Sequence, residues 1–286
     1  MSANPQLIVL NNRLIAYLDV LGFANRMQVE SAFEVVAQYS QFIKKADEEV
    51  FNPVDKLKDG SKVSNFAQAK FVFDSIVLVS HPIGDPGNVS KFIFATILLM
   101  ELGFCRRLPL RGAISLGDYL ETADHAVFVS PAFKRLFSEE QKLKFSGCCL
   151  LKEAETYVLT SVFGASFQFN TPAESQHPLV LYDAPSSNHE AGTKRWFVNW
   201  VHLLTPKELS NGLSYLIEPK LKNTQEFVNH IVQLPKNSRQ LIQGHAPPLY
   251  FRFMPSTTQC RIRFTDEADI STDIQQGISF ELSAKL

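Results

Sequence analysis

The stretch Arg13-Leu-Ile-Ala-Tyr-Leu-Asp19-Val-Leu-Gly22-Phe23 sets the architecture of this chain. Its run of Leu, Ile, Tyr and Val predicts a buried central strand that ends in a glycine turn. Asp19 lies near the end of this strand, where an ionised carboxylate is costly unless a positive charge such as a bound cation neutralises it. Gly22 would let a phosphate approach the backbone closely. Alternatively, Asp19 caps a helix that starts near Gly22, and this stretch alone leaves both interpretations open.

A second carboxylate interrupts another apolar run, Phe71-Val-Phe-Asp-Ser-Ile-Val-Leu-Val79. Asp and Ser are turn formers, so we predict two strands over residues 63–80 that form a hairpin bending at Asp74-Ser75. The carboxylate of Asp74 therefore lies at a strand end, like that of Asp19.

The other segments show helical or strand periodicity of ordinary kinds. We predict helices over residues 31–50, 89–105, 130–144, 221–234 and 238–243, and strands over 109–117, 127–129, 178–182, 195–201 and 251–264. Gly117 is expected to end its strand, and Ser130-Pro131 to start its helix as cap and first residue.

The order strand, helix, hairpin, helix, strand, strand, helix predicts an α+β fold with a mixed, ferredoxin-like sheet and flanking helices. In such a sheet the first strand lies beside the hairpin, which would bring Asp19 and Asp74 together. Two adjacent carboxylates repel each other unless a cation intervenes. We expect a catalytic domain over residues 10–147, with C-terminal strands and helices over residues 148–286 packed on it.

The composition is that of an ordinary soluble globular protein, with 45% hydrophobic and 20% charged residues. A net charge of −1 gives no electrostatic case for a nucleic-acid partner. No signal-peptide pattern is evident, and the apolar run at residues 92–104 is too short to span a bilayer, so we expect no membrane partner. Adjacent Cys148-Cys149 is a poor disulfide candidate. Reduced thiols and a cytoplasmic location are the resulting expectations.

Residues 13–144 resemble the class III nucleotidyl cyclases. Tyr17-Leu-Asp-Val-Leu-Gly-Phe23 is similar to that family's first metal motif. Lys70-Phe-Val-Phe-Asp74 is similar to the second, in which a lysine precedes the metal-binding aspartate by four residues. Leu110-Arg-Gly-Ala-Ile-Ser-Leu-Gly117 is similar to the glycine-bearing strand that follows. Within the family, the chain is most similar to the bacterial pyrimidine cyclases of antiphage signalling.

The resemblance implies that the chain converts a pyrimidine nucleoside triphosphate, UTP before CTP, into the 3′,5′-cyclic monophosphate and pyrophosphate. The product would be an antiphage second messenger that acts on a separate effector protein. In this family the active site forms between two catalytic domains, so a chain with one such domain implies a homodimer.

The resemblance also assigns residues to roles. Asp19, Asp74 and the backbone carbonyl of Val20 would hold two Mn²⁺ or Mg²⁺ ions per site. The backbone amides from Leu21 through Gly22 to Phe23 would cradle the triphosphate.

Two basic residues have both a functional and a structural interpretation. Lys70 matches the position at which purine cyclases read the base, but a surface lysine at a strand start explains it as well. Arg111 would contact phosphate or base, although a structural ion pair with Asp118 or Glu121 explains it equally.

Three departures from the family pattern keep other functions open. Phe73 and Ala113 stand where glycines are usual. The helix at residues 130–144 lacks the Asn and Arg, four residues apart, that stabilise the transition state, and offers Lys134 or Arg135 instead. A purine (adenylate or guanylate) cyclase is therefore one alternative. A catalytically inactive cyclase-like domain for nucleotide sensing or dimerisation is another.

Overall fold

The structure is a computed structural model that describes residues 6–52, 64–161, 178–184, 194–201, 204–233, 250–255, 260–265 and 280–281. Its first strand, β1 (Leu7–Val20), contains the predicted central strand and starts earlier than predicted. Leu14, Ile15 and Ala16 are all fully buried. Successive strand residues point to opposite faces, so both faces of β1 are covered at this point.

The main sheet is mixed and has the order β2-β3-β1-β4-β6-β8-β7. Its further strands are β2 (Gln68–Val72), β3 (Ser75–Val79), β4 (Leu110–Thr122), β5 (Phe128–Val129), β6 (Cys148–Leu150), β7 (Leu179–Tyr182) and β8 (Arg195–Val198). β1 is antiparallel to both β3 and β4, whereas β6 is parallel to β4. The order β2-β3-β1-β4 is that of a ferredoxin-like sheet, which confirms the predicted fold class.

Helices flank this sheet, and a short turn of π-helix (Asp47–Phe51) follows the second of them. They are α1 (Phe23–Val29), α2 (Ala32–Ala46), α3 (Pro86–Cys105), α4 (Phe133–Lys142), α5 (Lys152–Ser161), α6 (Pro206–Leu213) and α7 (Lys220–Gln233). Sequence periodicity predicted neither α5 nor α6, and the helix predicted at residues 238–243 lies outside the described residues. A second sheet places β9 (Tyr250–Pro255) between β10 (Cys260–Thr265) and β11 (Phe280–Glu281).

Two predicted boundaries differ from the structure. β4 continues through Gly117 to Thr122, so the prediction that this glycine ends the strand is wrong. Gly117 lies opposite Arg13, and β1 and β4 stay paired beyond it as far as Leu7 and Thr122. The helix predicted to start at Ser130-Pro131 starts at Phe133. Ser130 holds the turn before it, because its hydroxyl donates to the Asp118 carbonyl at 2.6 Å.

Helix α3 is the apolar helix of the core. It is longer than the apolar run suggested and, by length and composition alone, could cross a membrane. In the structure, however, 72% of its most apolar window is buried inside the protein. Packing against the sheet and the neighbouring helices therefore accounts for its composition. Among the described cysteines, Cys148 and Cys149 are free buried thiols and Cys105 is a free exposed thiol.

Candidate active site

The structure brings Asp19 and Asp74 to adjacent positions. Asp19 lies opposite Ser75 in the antiparallel β1–β3 pair. The Val20 amide donates a hydrogen bond to the Asp74 carbonyl at 3.1 Å. The negative charge of Asp74 is close enough to help raise the pKa of the Asp19 carboxyl. Both aspartates therefore lie at the same end of the sheet, as the ferredoxin-like order predicted.

The hairpin turn that carries Asp74 is unusual. It consists of Phe73 and Asp74, one residue earlier than predicted, because Ser75 already belongs to β3 and pairs with Val72. Phe73 has φ 56° and is 90% exposed. A left-handed backbone costs a residue with a Cβ about 1–2 kcal/mol relative to glycine. Phe73 therefore adopts a backbone conformation that favours glycine, at a position where the resemblance described above predicts a glycine.

The Asp19 carboxylate has polar partners on both neighbouring strands. The Ser75 hydroxyl donates to its Oδ1 at 3.3 Å, and Arg111 Nη2 lies 3.3 Å from its Oδ2. Arg111 reaches it because the two residues are directly opposite across β1 and β4. Burial is the main cause of the raised pKa of Asp19, Asp74 adds to it, and Arg111 opposes it. The residue that caps α1 is Gly22, which excludes the helix-cap interpretation of Asp19.

A third carboxylate, Glu140 of α4, completes the cluster. Its Oε1 lies 2.5 Å from Arg111 Nε, and only 5% of its side chain is exposed. Burial raises the pKa of Glu140 to about 7, against the opposing charge of Arg111 and with a further contribution from Asp19. Arg111 therefore pairs with Asp19 and Glu140, and the structural pairing considered from sequence, with Asp118 or Glu121, is wrong.

Sequence reasoning missed Glu140, although a signal was present. Phe133, Leu136 and Phe137 follow the spacing of one helix face, and Glu140 takes the next position of that stripe. Phe137 packs edge-on against Tyr17 of β1, with ring centroids 4.4 Å apart, so the stripe faces the sheet. A carboxylate on the buried face of a helix is energetically costly unless it has a partner. Its presence there in the sequence therefore indicates a possible functional site.

The glycine turn after β1 presents bare backbone. Gly22 has φ 87°, a backbone conformation that residues with a Cβ rarely adopt. The Leu21 amide, one of the predicted phosphate donors, already donates to the Pro109 carbonyl at 2.8 Å. Of the three predicted phosphate donors, the backbone amides of Gly22 and Phe23 therefore remain candidates. A Cβ at Gly22 would lie 3.5 Å from Nζ of Lys220, a residue the sequence analysis did not single out.

Lys70 lies in a separate cluster of charged groups. Its ammonium forms an ion pair with Glu121, whose side chain is fully buried. His125 Nδ1 lies 2.7 Å from the same carboxylate, and the Tyr119 hydroxyl donates to it at 3.3 Å. Burial acts to raise the pKa of Glu121, but Lys70 and His125 outweigh it and hold that pKa below its ordinary value. Lys70 is therefore a paired residue and not a free surface lysine.

Lys134 and Arg135, the two candidates for the missing arginine, point to another part of the molecule. Both line a cleft of about 590 Å³ together with Lys152 and Arg195. Neither Asp19 nor Asp74 lines this cleft. Arg135 Nη2 lies 3.4 Å from the Ser115 hydroxyl, on the strand that also carries Arg111. The structure therefore does not bring these two basic residues to the paired aspartates.

The donor set at the paired aspartates fits a hard divalent cation. Across the described ranges, no three His, Cys, Asp or Glu side chains form a metal-binding group. The predicted metal ligands are only the carboxylates of Asp19 and Asp74 and the carbonyl of Val20. The Val20 amide is hydrogen-bonded to the Asp74 carbonyl, which holds the two residues together. Oxygen ligands are those that Mg²⁺ and Mn²⁺ prefer. The charge of Asp74 adds to the effect of burial in raising the pKa of Asp19, and a cation bound between the two carboxylates would oppose that rise.

No protein-family model and no curated protein sequence matches this chain. Solved structures resemble it in fold. The catalytic core of a rhodopsin-guanylyl cyclase with converted specificity, in complex with ATPalphaS, is 9% identical, with a TM-score of 0.41 over 68% of this chain and 97% of that one. The adenylyl cyclase CyaB from P. aeruginosa is 11% identical, with a TM-score of 0.45 over 68% and 95%.

A bacterial light-regulated adenylyl cyclase is 12% identical, with a TM-score of 0.40 over 80% of this chain and 58% of that one. All three TM-scores are below 0.5. Similarity at this level does not assign the chain to a family.

Proposed function

We propose that this chain is a nucleotidyl cyclase that converts a nucleoside triphosphate into the 3′,5′-cyclic monophosphate and pyrophosphate. The observation that carries this proposal is the juxtaposition of Asp19 and Asp74 at the ends of adjacent strands. Arg111 is shared between Asp19 and Glu140, and the neighbouring charge of Asp74 helps burial to raise the pKa of Asp19. Adjacent carboxylates that share a single guanidinium are suited to binding a cation.

Asp19, Asp74 and the carbonyl of Val20 are the groups that would hold Mn²⁺ or Mg²⁺, two per site. When bound, these ions would acidify the ribose 3′-hydroxyl and offset the charge of the leaving pyrophosphate. The chain itself orients this donor set. Ser75 donates to one oxygen of Asp19 and Arg111 approaches the other, which fixes the plane of the carboxylate.

The proposed reaction is an in-line displacement at the α-phosphorus. The 3′-oxygen forms a bond to phosphorus and releases its proton to solvent. The bond from the α-phosphorus to the oxygen that bridges to the β-phosphate breaks, and pyrophosphate leaves with the electron pair. Arg111 is placed to attract the developing negative charge. Gly22 has no side chain that would stand between the phosphates and its backbone amide.

For the base, we propose a pyrimidine, with UTP preferred over CTP. The support comes from Lys70, which stands where purine cyclases of the resembling family read the base. Lys70 forms an ion pair with the buried carboxylate of Glu121, which His125 also contacts. Lys70 could therefore bind a purine only if that ion pair were broken. A catalytically inactive, nucleotide-sensing domain remains the second candidate, because Lys134 and Arg135 line a cleft away from the aspartates.

We further propose that two copies pair and that the cyclic product acts as an antiphage messenger on a separate effector protein. Large apolar side chains that are exposed in a single copy support the pairing. Phe73 is 90% exposed, Phe33 83% and Val29 82%. Exposed apolar side chains of this size are typical of protein interfaces when they are contiguous.

Incubation of the purified chain with each of the four ribonucleoside triphosphates and Mn²⁺, followed by mass spectrometry of the products, tests the proposal. We expect cyclic UMP and pyrophosphate in equal amounts. A cyclic product from ATP or GTP alone would favour the purine alternative. The inactive alternative predicts no product from any triphosphate, even though the protein is folded and dimeric by light scattering.

A further inference from the structure

One cation at the candidate active site belongs to the C-terminal part of the chain. Lys220 is the first residue of α7, and its Nζ lies 3.5 Å from the position that a Cβ on Gly22 would occupy. Within the described residues, Lys220 forms no ion pair and no hydrogen bond through its ammonium group. An ammonium group thus faces bare backbone beside the aspartates.

Two other basic side chains act on the ammonium group of Lys220. Burial lowers the pKa of its ammonium, and the like charges of Arg111 and Lys144 lower it further, while Asp19 acts in the opposite direction. Arg111 is itself paired with Asp19 and Glu140, whereas Lys220 has no ion pair within the described residues. Cations that converge without enough counter-charge repel one another, and an anion placed among them removes that cost.

Side-chain contacts fix α7 in this position. The Ser146 amide donates to the buried Thr224 hydroxyl at 3.1 Å, and the Asn223 amide group donates to the Lys144 carbonyl at 3.2 Å. One turn further along α7, the ring of Phe227 lies 5.1 Å from that of Phe145. The start of α7 is therefore anchored to the segment next to β4, and Lys220 is held over the Gly22 turn.

We propose that Lys220, whose ammonium group lies beside the Gly22 turn, forms together with Arg111 a phosphate subsite for the polyphosphate tail of the substrate. The C-terminal segment would then supply part of the active site in the same chain that carries the paired aspartates. A lysine ammonium is a compact charge well suited to phosphate oxygens. The inference deepens the proposed function and rests on it for the identity of the ligand, a nucleoside triphosphate.

Titration calorimetry with inorganic triphosphate tests the subsite directly. The full chain is titrated in EDTA, so that binding depends on the protein's own groups, and uridine serves as the probe without phosphates. Lys220→Ala is compared with Lys222→Ala, which removes the same charge from an exposed position two residues along the same helix. We expect Lys220→Ala to weaken triphosphate binding about tenfold and Lys222→Ala to leave it unchanged.

Lys220→Arg keeps the charge, and we expect it to retain most of the affinity. Circular dichroism melts establish that each variant is folded. Unchanged affinity in Lys220→Ala would overturn the inference. Equal weakening in Lys222→Ala would overturn it too, because it would indicate a general effect of net charge.

Turnover by the wild-type chain separates this inference from the proposed function. Triphosphate binding that depends on Lys220, in a protein that makes no cyclic product, would refute the cyclase proposal and keep the phosphate subsite. If the wild-type chain makes the cyclic product but wild type and Lys220→Ala bind triphosphate equally well, the cyclase proposal stands and the phosphate subsite is refuted. If both hold, we expect Lys220→Ala to raise the KM for the preferred triphosphate about tenfold.

Discussion

The chain contains two clusters of charged residues that differ in how their carboxylates are neutralised. In one, Glu121 is fully buried and is bonded to both Lys70 and His125. In the other, Asp19 and Glu140 have side chains that are 16% and 5% exposed, and they share Arg111. The pKa of Glu121 is held below its ordinary value, whereas the pKa values of Asp19 and Glu140 are raised.

The comparison distinguishes a structural ion cluster from a binding site. Glu121 has two basic partners within the chain, so its charge is satisfied and the cluster holds strands together. At the other cluster one guanidinium serves two carboxylates, and Asp74 adds a third negative charge to their surroundings. Buried charge that the chain itself leaves uncompensated indicates a ligand of opposite sign.

The largest expected effect is on catalysis, through the cluster that lacks counter-charge. Asp19→Asn removes one metal-binding carboxylate and keeps its shape, so we expect cyclic-nucleotide formation to fall by at least about 100-fold. The fold should persist, because the change relieves repulsion from Asp74. Product measured by mass spectrometry provides the test, with the exposed Asp183→Asn as the control. Activity within a few-fold of wild type would refute the metal assignment.

The second effect is on stability, through the neutralised cluster. Glu121→Gln leaves the Lys70 ammonium beside a neutral, buried partner, so we expect the free energy of unfolding to fall by about 2–4 kcal/mol. Urea unfolding measures it, with the exposed Glu153→Gln as the matched control. Since the folded pKa of Glu121 is below 4.5, its contribution is present at neutral pH and lost as the pH falls through that folded value. Equal stability of variant and wild type would mean that the cluster contributes nothing.

The smallest effect has the opposite sign and comes from Glu140. Its pKa rises from 4.5 to about 7 on folding. The unfolded chain therefore ionises first, and the stabilisation present below pH 4.5 is lost as the pH rises through about 7. We expect Glu140→Gln to be more stable than wild type by about 1–3 kcal/mol at pH 8.5, and by much less at pH 5. If Glu140→Gln were instead less stable than wild type at pH 8.5, the charge of Glu140 would be neutralised within the chain, as that of Glu121 is.

Much of the fold was accessible from the sequence because its signals are local. The apolar run of β1, the turn formers between β2 and β3, and the helical spacing of α2 and α7 each depend on neighbouring residues. The ferredoxin-like order then follows from general rules of chain connection, and this order predicts that Asp19 lies beside Asp74.

The charge partners were decided only by the tertiary structure. Arg111 was considered as a partner of Asp118 or Glu121, but its side chain meets Asp19 across the sheet and Glu140 from a helix. Lys220 reaches the Gly22 turn from near the other end of the chain. Periodicity shows which face of an element is buried, but the neutralisation of a buried charge depends on which distant elements pack against that face. The residues of the proposed metal site were therefore predictable from local motifs, whereas the electrostatic balance that supports a ligand there emerged only on folding.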